Sequence, residues 1–327
     1  MLRAALFTFF LFPFLLAQGQ YKDPKGYVAS DVNQESPAKY DWEKNAKHKK
    51  YTRDSYYLVM RDSIKIAVDV YVPKVKKGHY GKFPTILHQW RYWRDFGLKW
   101  PYKWLSKAPN GPLGKFFKEL ISSEYVLVSV DSRGSGASTG SRDHPWTQEE
   151  RDDMTEIIDH IVAQSWSDGI VGVAGVSYSG TTSEFAAIQK HSAVKAVVNM
   201  YSLFDVYPDN AFVGGIHNIG FTEVWGEANE ALDRNELPPK AGKAKKRVKG
   251  VSIPKKFFDG RSAVGVFEQA QEDHKKNANV NDGALTIVYR DDKEQSKAAQ
   301  REKEEAAHGK KVKPSLSSFA NPSPPLA

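Results

Sequence analysis

The stretch VGVAGVSYSGTTSEF, from Val171 to Phe185, constrains the fold more than any other part of the chain. An apolar run leads into Ser177, and a pattern of helical period follows it. A strand that is apolar on both faces is typical of a parallel sheet covered by helices. Gly175, Ser179 and Gly180 are the small residues that a tight strand-to-helix turn requires around a serine. The stretch therefore predicts a buried strand, a sharp turn at Ser177 and a helix.

The neighbouring segments continue this alternation of strands and helices. Residues 56–73 predict a hairpin whose turn lies at Arg61-Asp62-Ser63. Further strands are predicted at 83–90, 125–134 and 194–202, and helices at 116–124 and 147–166, the second with a Thr-x-x-Glu cap signature at Thr147 and Glu150. Residues 51–207 are therefore expected to form an α/β core with a mostly parallel sheet and helices on both faces.

The pattern changes after Tyr207. Residues 210–239 have apolar residues at helical spacing and no strand, and residues 240 to about 288 are charged and mostly helical or looping. We interpret residues 208–290 as a basic helical cap inserted on the α/β core. Residues 291–327 are charged and then rich in proline and serine, which predicts a disordered tail.

Residues 1–19 have the pattern of a signal peptide. Arg3 precedes an apolar run from Ala4 to Ala17, and Ala17 and Gly19 fit a small-x-small cleavage site. The run is too short for a stable membrane span. We therefore expect a secreted or periplasmic protein with an extended leader over residues 20–50.

Charge and cysteine content narrow the function classes. The chain has a formal charge of +8 and no cysteine, which excludes a cysteine nucleophile, a thiolate metal site and a disulfide framework. The lysines cluster at 240–250 and 308–313 without interleaved aromatic residues, so a solvated surface is favoured over a nucleic-acid site. Binding of an anionic envelope polymer through Lys240–Lys256 is a further hypothesis that rests on charge alone.

The residues around Ser177 allow two interpretations. A serine on such a turn has its hydroxyl exposed at the carboxyl end of the sheet, where it can attack an acyl group. The backbone N–H of Tyr178, at the helix start, would then point to the developing oxyanion. The other interpretation is an ordinary strand-to-helix junction with a serine cap, because Gly-x-Ser-x-small also arises by chance.

Four motifs along the chain favour the first interpretation. Over roughly Tyr51 to Pro239 the chain resembles the family of α/β-hydrolases that contains Xaa-Pro dipeptidyl-peptidases, cocaine esterase and α-amino-acid ester hydrolases. The matching motifs are Met60-Arg61-Asp62 with Ala67-x-Asp69-Val70-Tyr71-x-Pro73, Asp131-x-Arg133-Gly134-x-Gly136-x-Ser138-x-Gly140, Trp166-x-Asp168-Gly169-x-Val171-Gly172, and Gly175-x-Ser177-Tyr178-x-Gly180.

The resemblance implies an α/β-hydrolase fold and a serine hydrolase that cleaves an ester or amide through an acyl-enzyme on Ser177. Small acyl esters, amides or peptides would be its substrates, with no metal or organic cofactor. The oxyanion donors implied are the backbone N–H of Tyr178 and the hydroxyl of Tyr92, which follows the strand PTILHQW. An ordinary aromatic residue in a surface cluster is the alternative for Tyr92.

The base and the acid of a serine triad are not identified in the chain. The family places both after the helical insertion, on later core strands. The histidines that follow Ser177 are His191, His217, His274 and His308. His217, with Asp205 or Asp209 to orient it, is the candidate for a replacement base. We therefore expect a C-terminally truncated family member that is inactive or very weak alone, or else a non-catalytic remnant or binding protein.

Other polar residues are interpreted as structural. We expect an Asp131–Arg133 pair to fix the glycine-rich loop and Asp168-Gly169 to form the turn before the nucleophile strand. His88, His144 and His160 precede the serine and are predicted to be structural.

Overall fold

The computed structural model describes residues 50–74, 81–102 and 114–287. The predicted signal peptide and tail, His308 and all of the leader except Lys50 lie outside these residues. The strands are β1 (Tyr51–Val59), β2 (Lys65–Pro73), β3 (Phe83–Trp90), β4 (Phe96–Leu98), β5 (Val126–Asp131), β6 (Ser167–Val176), β7 (Val194–Met200) and β8 (Val248–Val251). The helices are α1 (Gly114–Ser122), α2 (Gln148–Val162), α3 (Tyr178–Ile188), α4 (Ile219–Asp233), α5 (Val266–His274) and α6 (Val280–Ala284).

Six strands form one sheet in the order β1-β2-β5-β3-β6-β7. The hairpin of β1 and β2 is antiparallel, β2 pairs antiparallel with β5, and β5, β3, β6 and β7 run parallel to one another. This arrangement confirms the predicted α/β fold with its mostly parallel sheet. Because the parallel strands all end on one side, their carboxyl ends define the edge at which Ser177 lies.

Helices cover both faces of the sheet. On one face, the buried stripe Met154, Ile157, Ile158 and Ile161 of α2 packs with apolar side chains of the central strands. On the other face, α1 packs through Phe117 and Ile121 against residues that include Tyr71 and Leu127. Every residue of β5 is buried, as expected for a central strand covered on both sides.

Strand β7 has a different environment from the central strands. It pairs with β6 on one side, and none of the strands in the described ranges pairs with its other edge. Lys195, Ala196, Val198 and Asn199 are exposed, and the Val198 side chain is 48% accessible. In the described part of the chain, β7 is therefore an open edge with a partly apolar surface.

The segment after residue 239 contains a strand that sequence analysis did not predict. β8 pairs antiparallel with β4 in a second, two-stranded sheet. The segment also contains a 3-10 turn at Pro239–Lys246 and the helices α5 and α6. Strands of three and four residues are too short to show a period in the sequence.

None of the described helices combines the length and the apolar character that a membrane crossing would require.

Candidate active site

The turn between β6 and α3 has the strained geometry predicted for it. Ser177 has φ 59° and ψ −121°, in the positive-φ range that side chains rarely adopt, and it is exposed. Its backbone N–H donates to the carbonyl of Met200 at 2.9 Å, and its carbonyl accepts from Thr181 at 3.0 Å. The hydroxyl is thus presented outward at the carboxyl end of the sheet and at the N-terminus of a helix.

The small residues around Ser177 are required by contact. A Cβ on Gly175 would overlap the backbone carbonyl of Ser179, and a Cβ on Gly180 would lie 2.5 Å from the carbonyl oxygen of Met200. The Ser179 hydroxyl donates to the carbonyl of Val176 at 3.0 Å and accepts from the backbone N–H of Val176 at 2.9 Å. The turn is therefore closed by hydrogen bonds and allows no extra side-chain atom at either glycine.

Tyr178 begins α3 and is anchored through both its ring and its main chain. As the first helical residue, its N–H has no acceptor within the helix, so it is available to an anion at the Ser177 side. The buried phenol donates to Oε2 of Glu150 at 2.7 Å. Trp146 stacks on the ring at 4.6 Å, and its indole N–H donates to the Tyr178 carbonyl at 3.2 Å.

Glu150 is a buried carboxylate that contacts Tyr178 and that the sequence did not indicate. Its buried carboxylate accepts from the hydroxyl of Ser132 at 2.8 Å and from the backbone N–H of Trp146 at 3.2 Å, in addition to Tyr178. The Thr147 hydroxyl accepts from the Glu150 N–H at 3.2 Å, which confirms the predicted cap. In the sequence, Glu150 is already explained as part of the Thr-x-x-Glu capping signature. No further pattern indicates that its carboxylate binds Tyr178 on α3.

Tyr92 lies beside the turn, at the start of the loop that follows β3. Its ring meets the Tyr178 ring edge to face at 5.9 Å and 70°. Its hydroxyl oxygen accepts a hydrogen bond from the indole N–H of Trp225, on α4, at 2.6 Å. Burial raises the pKa of the phenol, so it is protonated at neutral pH and can donate.

A buried cation lies beneath these rings. The Arg91 side chain is 1% exposed, and its guanidinium carbon lies 5.7 Å from the Tyr92 ring centre and 5.9 Å from those of Tyr178 and Trp225. Its nearest carboxylate is Asp233, at 3.6 Å. Such an arrangement holds three aromatic rings around one positive charge.

The described histidines after Ser177 have other partners. Nε2 of His191 lies 3.0 Å from Oδ1 of Asp159. His191 precedes the amino end of β7, whereas Ser177 binds Met200 at the carboxyl end, so a seven-residue strand of about 20 Å separates the two residues. The ring of His217 stacks on Phe212, and its Nε2 lies 2.9 Å from the Thr222 hydroxyl.

His274 is buried, and its Nε2–H donates to the carbonyl of Ser138 at 2.8 Å. The proposed orienter Asp209 accepts from the N–H groups of Phe204 and Asp205 and not from His217. Within residues 50–74, 81–102 and 114–287, the Ser177 hydroxyl makes no hydrogen bond to a histidine or to a carboxylate, and no group of three His, Cys, Asp or Glu side chains could hold a metal ion.

The comparison with known families decides the classification. The profile of the family described as X-Pro dipeptidyl-peptidase (S15 family) matches residues 62–316, which is more than half of the chain. The chain belongs to this family.

Relatives of this S15-family chain are longer proteins. A Mycobacterium bovis protein named "Putative serine esterase" is 40% identical over 245 residues, which make up 73% of this chain and 38% of that protein. The cocaine esterase of a Rhodococcus strain is 31% identical over 148 residues, 45% of this chain and 23% of that enzyme. A solved CocE/NonD family hydrolase from Staphylococcus aureus is 30% identical, with a TM-score of 0.46, over 55% of this chain and 33% of its own.

The chain thus spans about two fifths, or less, of the length of these relatives. The family is described by its X-Pro dipeptidyl-peptidases, and two of these relatives are named as esterases.

The glycine-rich loop of this S15-family chain is fixed by different ion pairs from the one expected. Asp131 binds Arg94, with a distance of 2.6 Å between Oδ2 and Nη1, and not Arg133. Arg133 instead pairs with Asp153 and Asp62, both at 2.6 Å. The expected Asp131–Arg133 pair was wrong because Asp131 ends a strand and faces the loop after β3, which sequence spacing does not reveal.

The three histidines before Ser177 that the structure describes have partners other than Ser177. His88 is buried against Trp90 and Phe117, and burial lowers its pKa to about 3. His160 meets the hydroxyl of Tyr56 at 3.0 Å, and Nδ1 of His144 lies 2.9 Å from the carbonyl of Pro145.

Proposed function

We propose that this chain carries the nucleophile and the oxyanion site of a serine hydrolase that cleaves a small acyl ester, with amides or peptides as the wider substrate class. The observation that supports it most is the turn at Ser177, where a positive φ presents an exposed hydroxyl between a buried parallel strand and a helix N-terminus. A serine cap alone does not explain this geometry, because the Ser177 side chain makes no capping hydrogen bond to α3.

The chemistry proposed is acyl transfer in two steps. The Ser177 oxygen attacks the acyl carbon, its proton passes to a base, and the leaving alcohol or amine departs with a proton. Water then attacks the acyl-enzyme, which releases the acid and restores the hydroxyl. The backbone N–H of Tyr178 and the hydroxyl of Tyr92 would bind the oxyanion, with the N-terminal dipole of α3 adding to the field.

The preference for esters is supported by the relatives, which include proteins named as serine esterase and cocaine esterase. A secreted or periplasmic location is proposed from the signal-peptide pattern of residues 1–19.

A covalent probe tests the nucleophile directly. The purified chain is treated with a fluorophosphonate, and its intact mass is measured beside that of the Ser177→Ala variant. We expect one phosphonyl adduct on the unaltered chain, formed slowly because no described histidine contacts Ser177, and none on the variant. An adduct that persists in Ser177→Ala, or none on either protein, would reject the role of Ser177.

The second candidate is a protein that binds an acyl ligand without turnover. It is favoured by the absence of a histidine contact to Ser177 in the described residues, because loss of a triad base lowers turnover by several orders of magnitude. Saturable binding of an ester without adduct formation would support this candidate, whereas stoichiometric labelling would reject it.

A further inference from the structure

The cap helix reaches into the candidate site through one side chain. Nε1–H of Trp225, on α4, donates to Oη of Tyr92 at 2.6 Å, although the two residues are 133 positions apart. We propose that Trp225 is a positioning residue that orients the Tyr92 hydroxyl toward the oxyanion. This inference rests on the proposed function, since it concerns the part of Tyr92 in acyl transfer.

The hydrogen bond restricts where the phenolic proton can lie. An indole nitrogen only donates, so the Tyr92 oxygen is the acceptor in this contact, and its proton cannot point toward Trp225. The ring itself is held edge to face against Tyr178, the residue whose N–H is the other proposed donor. Trp225 therefore selects among the orientations of a hydroxyl whose ring is already held against Tyr178.

Helix α4 is attached firmly enough to act as a support. The indole N–H of Trp93 donates to the carbonyl of Leu232 at 3.2 Å, and Asp233 pairs with Arg142 at 2.9 Å. Nearer the start of the helix, the Thr222 hydroxyl donates to Oδ1 of Asn281 at 2.7 Å. These contacts lie on both sides of Trp225 along the helix, so its position relative to the core is fixed.

The charge of Arg91 acts in the same direction as the indole. Its guanidinium lies beneath the rings of both Tyr92 and Trp225, which keeps the donor and the acceptor together. Burial raises the pKa of Tyr92, while the Arg91 charge and the Trp225 hydrogen bond oppose that rise. A phenol supported in this way is a stronger donor to a developing oxyanion.

A double-mutant cycle tests the proposal. The second-order rate of fluorophosphonate labelling is measured for the unaltered chain, Trp225→Phe, Tyr92→Phe and the double variant, because the phosphonyl oxygen takes the place of the oxyanion. We expect Trp225→Phe to slow labelling by about 3- to 10-fold, the range of one hydrogen bond. In the Tyr92→Phe background, the same change should have no further effect.

Trp166→Phe is the matched control. It makes the same substitution at a partly buried indole that packs against the core just before β6, and in the described residues that indole makes no hydrogen bond to Tyr92 or α4, so its labelling rate should stay within about twofold of the unaltered chain. Slowing by Trp225→Phe that is equal in both backgrounds, or shared by Trp166→Phe, would overturn the proposal and leave the proposed function standing.

A second readout separates the contact from the chemistry. In the chain labelled with nitrogen-15 at tryptophan, the Trp225 indole proton should lie downfield and shift upfield in Tyr92→Phe, while the Trp93 resonance stays in place. Failure of that shift would overturn the inference. Failure of any Ser177 labelling in the unaltered chain would instead reject the proposed function, and the positioning role with it.

Discussion

Ser177 combines an exposed hydroxyl with a backbone conformation that a side chain disfavours. Residues held at positive φ outside the helical and extended ranges carry roughly 1–3 kcal/mol of strain, which the surrounding structure must offset. Hydrogen bonds from Ser177 N–H to Met200 and across Ser179 supply that support. The strain is local, so it can be measured by changing one residue.

Replacing Ser177 with glycine should stabilise the fold relative to alanine. Both variants lose the hydroxyl, but only glycine adopts φ 59° without strain, so we expect Ser177→Gly to exceed Ser177→Ala by about 1 kcal/mol in unfolding free energy. Urea unfolding of both variants measures the difference. Ser183→Gly, within α3, is the control and should destabilise the chain; equal stability of the two Ser177 variants would contradict the prediction.

The buried His88 should make the free energy of unfolding depend on pH. Its pKa is about 3 because of burial, below the value of about 6.5 expected when the chain is unfolded. The unfolded state therefore binds the proton first, and stability is lost as pH falls from about 6.5 toward 3. Between pH 7 and pH 4, protonation of His88 in the unfolded chain should lower the free energy of unfolding by about 3 kcal/mol.

His88→Leu removes the titrating group while filling a similar volume. Urea unfolding measures the free energy of unfolding at pH 7 and at pH 4. Between these pH values, the variant should lose about 3 kcal/mol less of this free energy than the unaltered chain. Parallel losses in the two proteins would show that His88 is not the source.

At the scale of elements, α2 and α3 are joined by one carboxylate. Glu150 accepts hydrogen bonds from Tyr178, Ser132 and the Trp146 backbone, so it connects the start of α2 to the residue after Ser177. An amide at this position offers one acceptor oxygen and places an N–H₂ group against donors.

Glu150→Gln should therefore lower the unfolding free energy by about 1–3 kcal/mol and slow fluorophosphonate labelling of Ser177. The control is Glu149→Gln, an exposed neighbour on the same helix, which should change neither quantity. Calorimetric melting and the labelling rate are the two measurements. A variant as stable as the control would show that the carboxylate is not the connection.

Elements with a strong local signal could be predicted from the sequence. The hairpin turn at 61–63, the buried strand before Ser177 and the Thr147 cap depend on residues close together in the chain, and each is confirmed. The pairing of β4 with β8, the Arg94–Asp131 pair and the reach of Trp225 to Tyr92 join distant segments. Such contacts depend on tertiary packing, and no local pattern in a single sequence predicts them.

At the scale of the whole molecule, β7 is an open edge of the six-stranded sheet among the residues that the structure describes. An edge strand with unpaired backbone groups and exposed apolar side chains is a template for pairing with another chain. Apolar residues beside its carboxyl end, among them Tyr201 and Phe204, are also exposed. We expect the isolated chain to self-associate through this edge.

Val198→Lys should reduce that association, because a charge on an edge strand opposes pairing. Sedimentation velocity over a range of concentrations measures it. Val264→Lys is the control, since Val264 is 92% exposed and lies outside β7. If both variants associate like the unaltered chain, the edge of β7 is not the contact.

The hydrogen bond from the Ser177 N–H to the Met200 carbonyl connects this edge strand to the turn at Ser177. Met200 is the last residue of β7, and its carbonyl oxygen also lies where a Cβ of Gly180 would be. A polypeptide that pairs with the outer edge of β7 would thus act on the backbone that holds the turn at Ser177 without contacting the serine itself. Pairing at that edge and the backbone geometry of the turn would then be linked through a single strand.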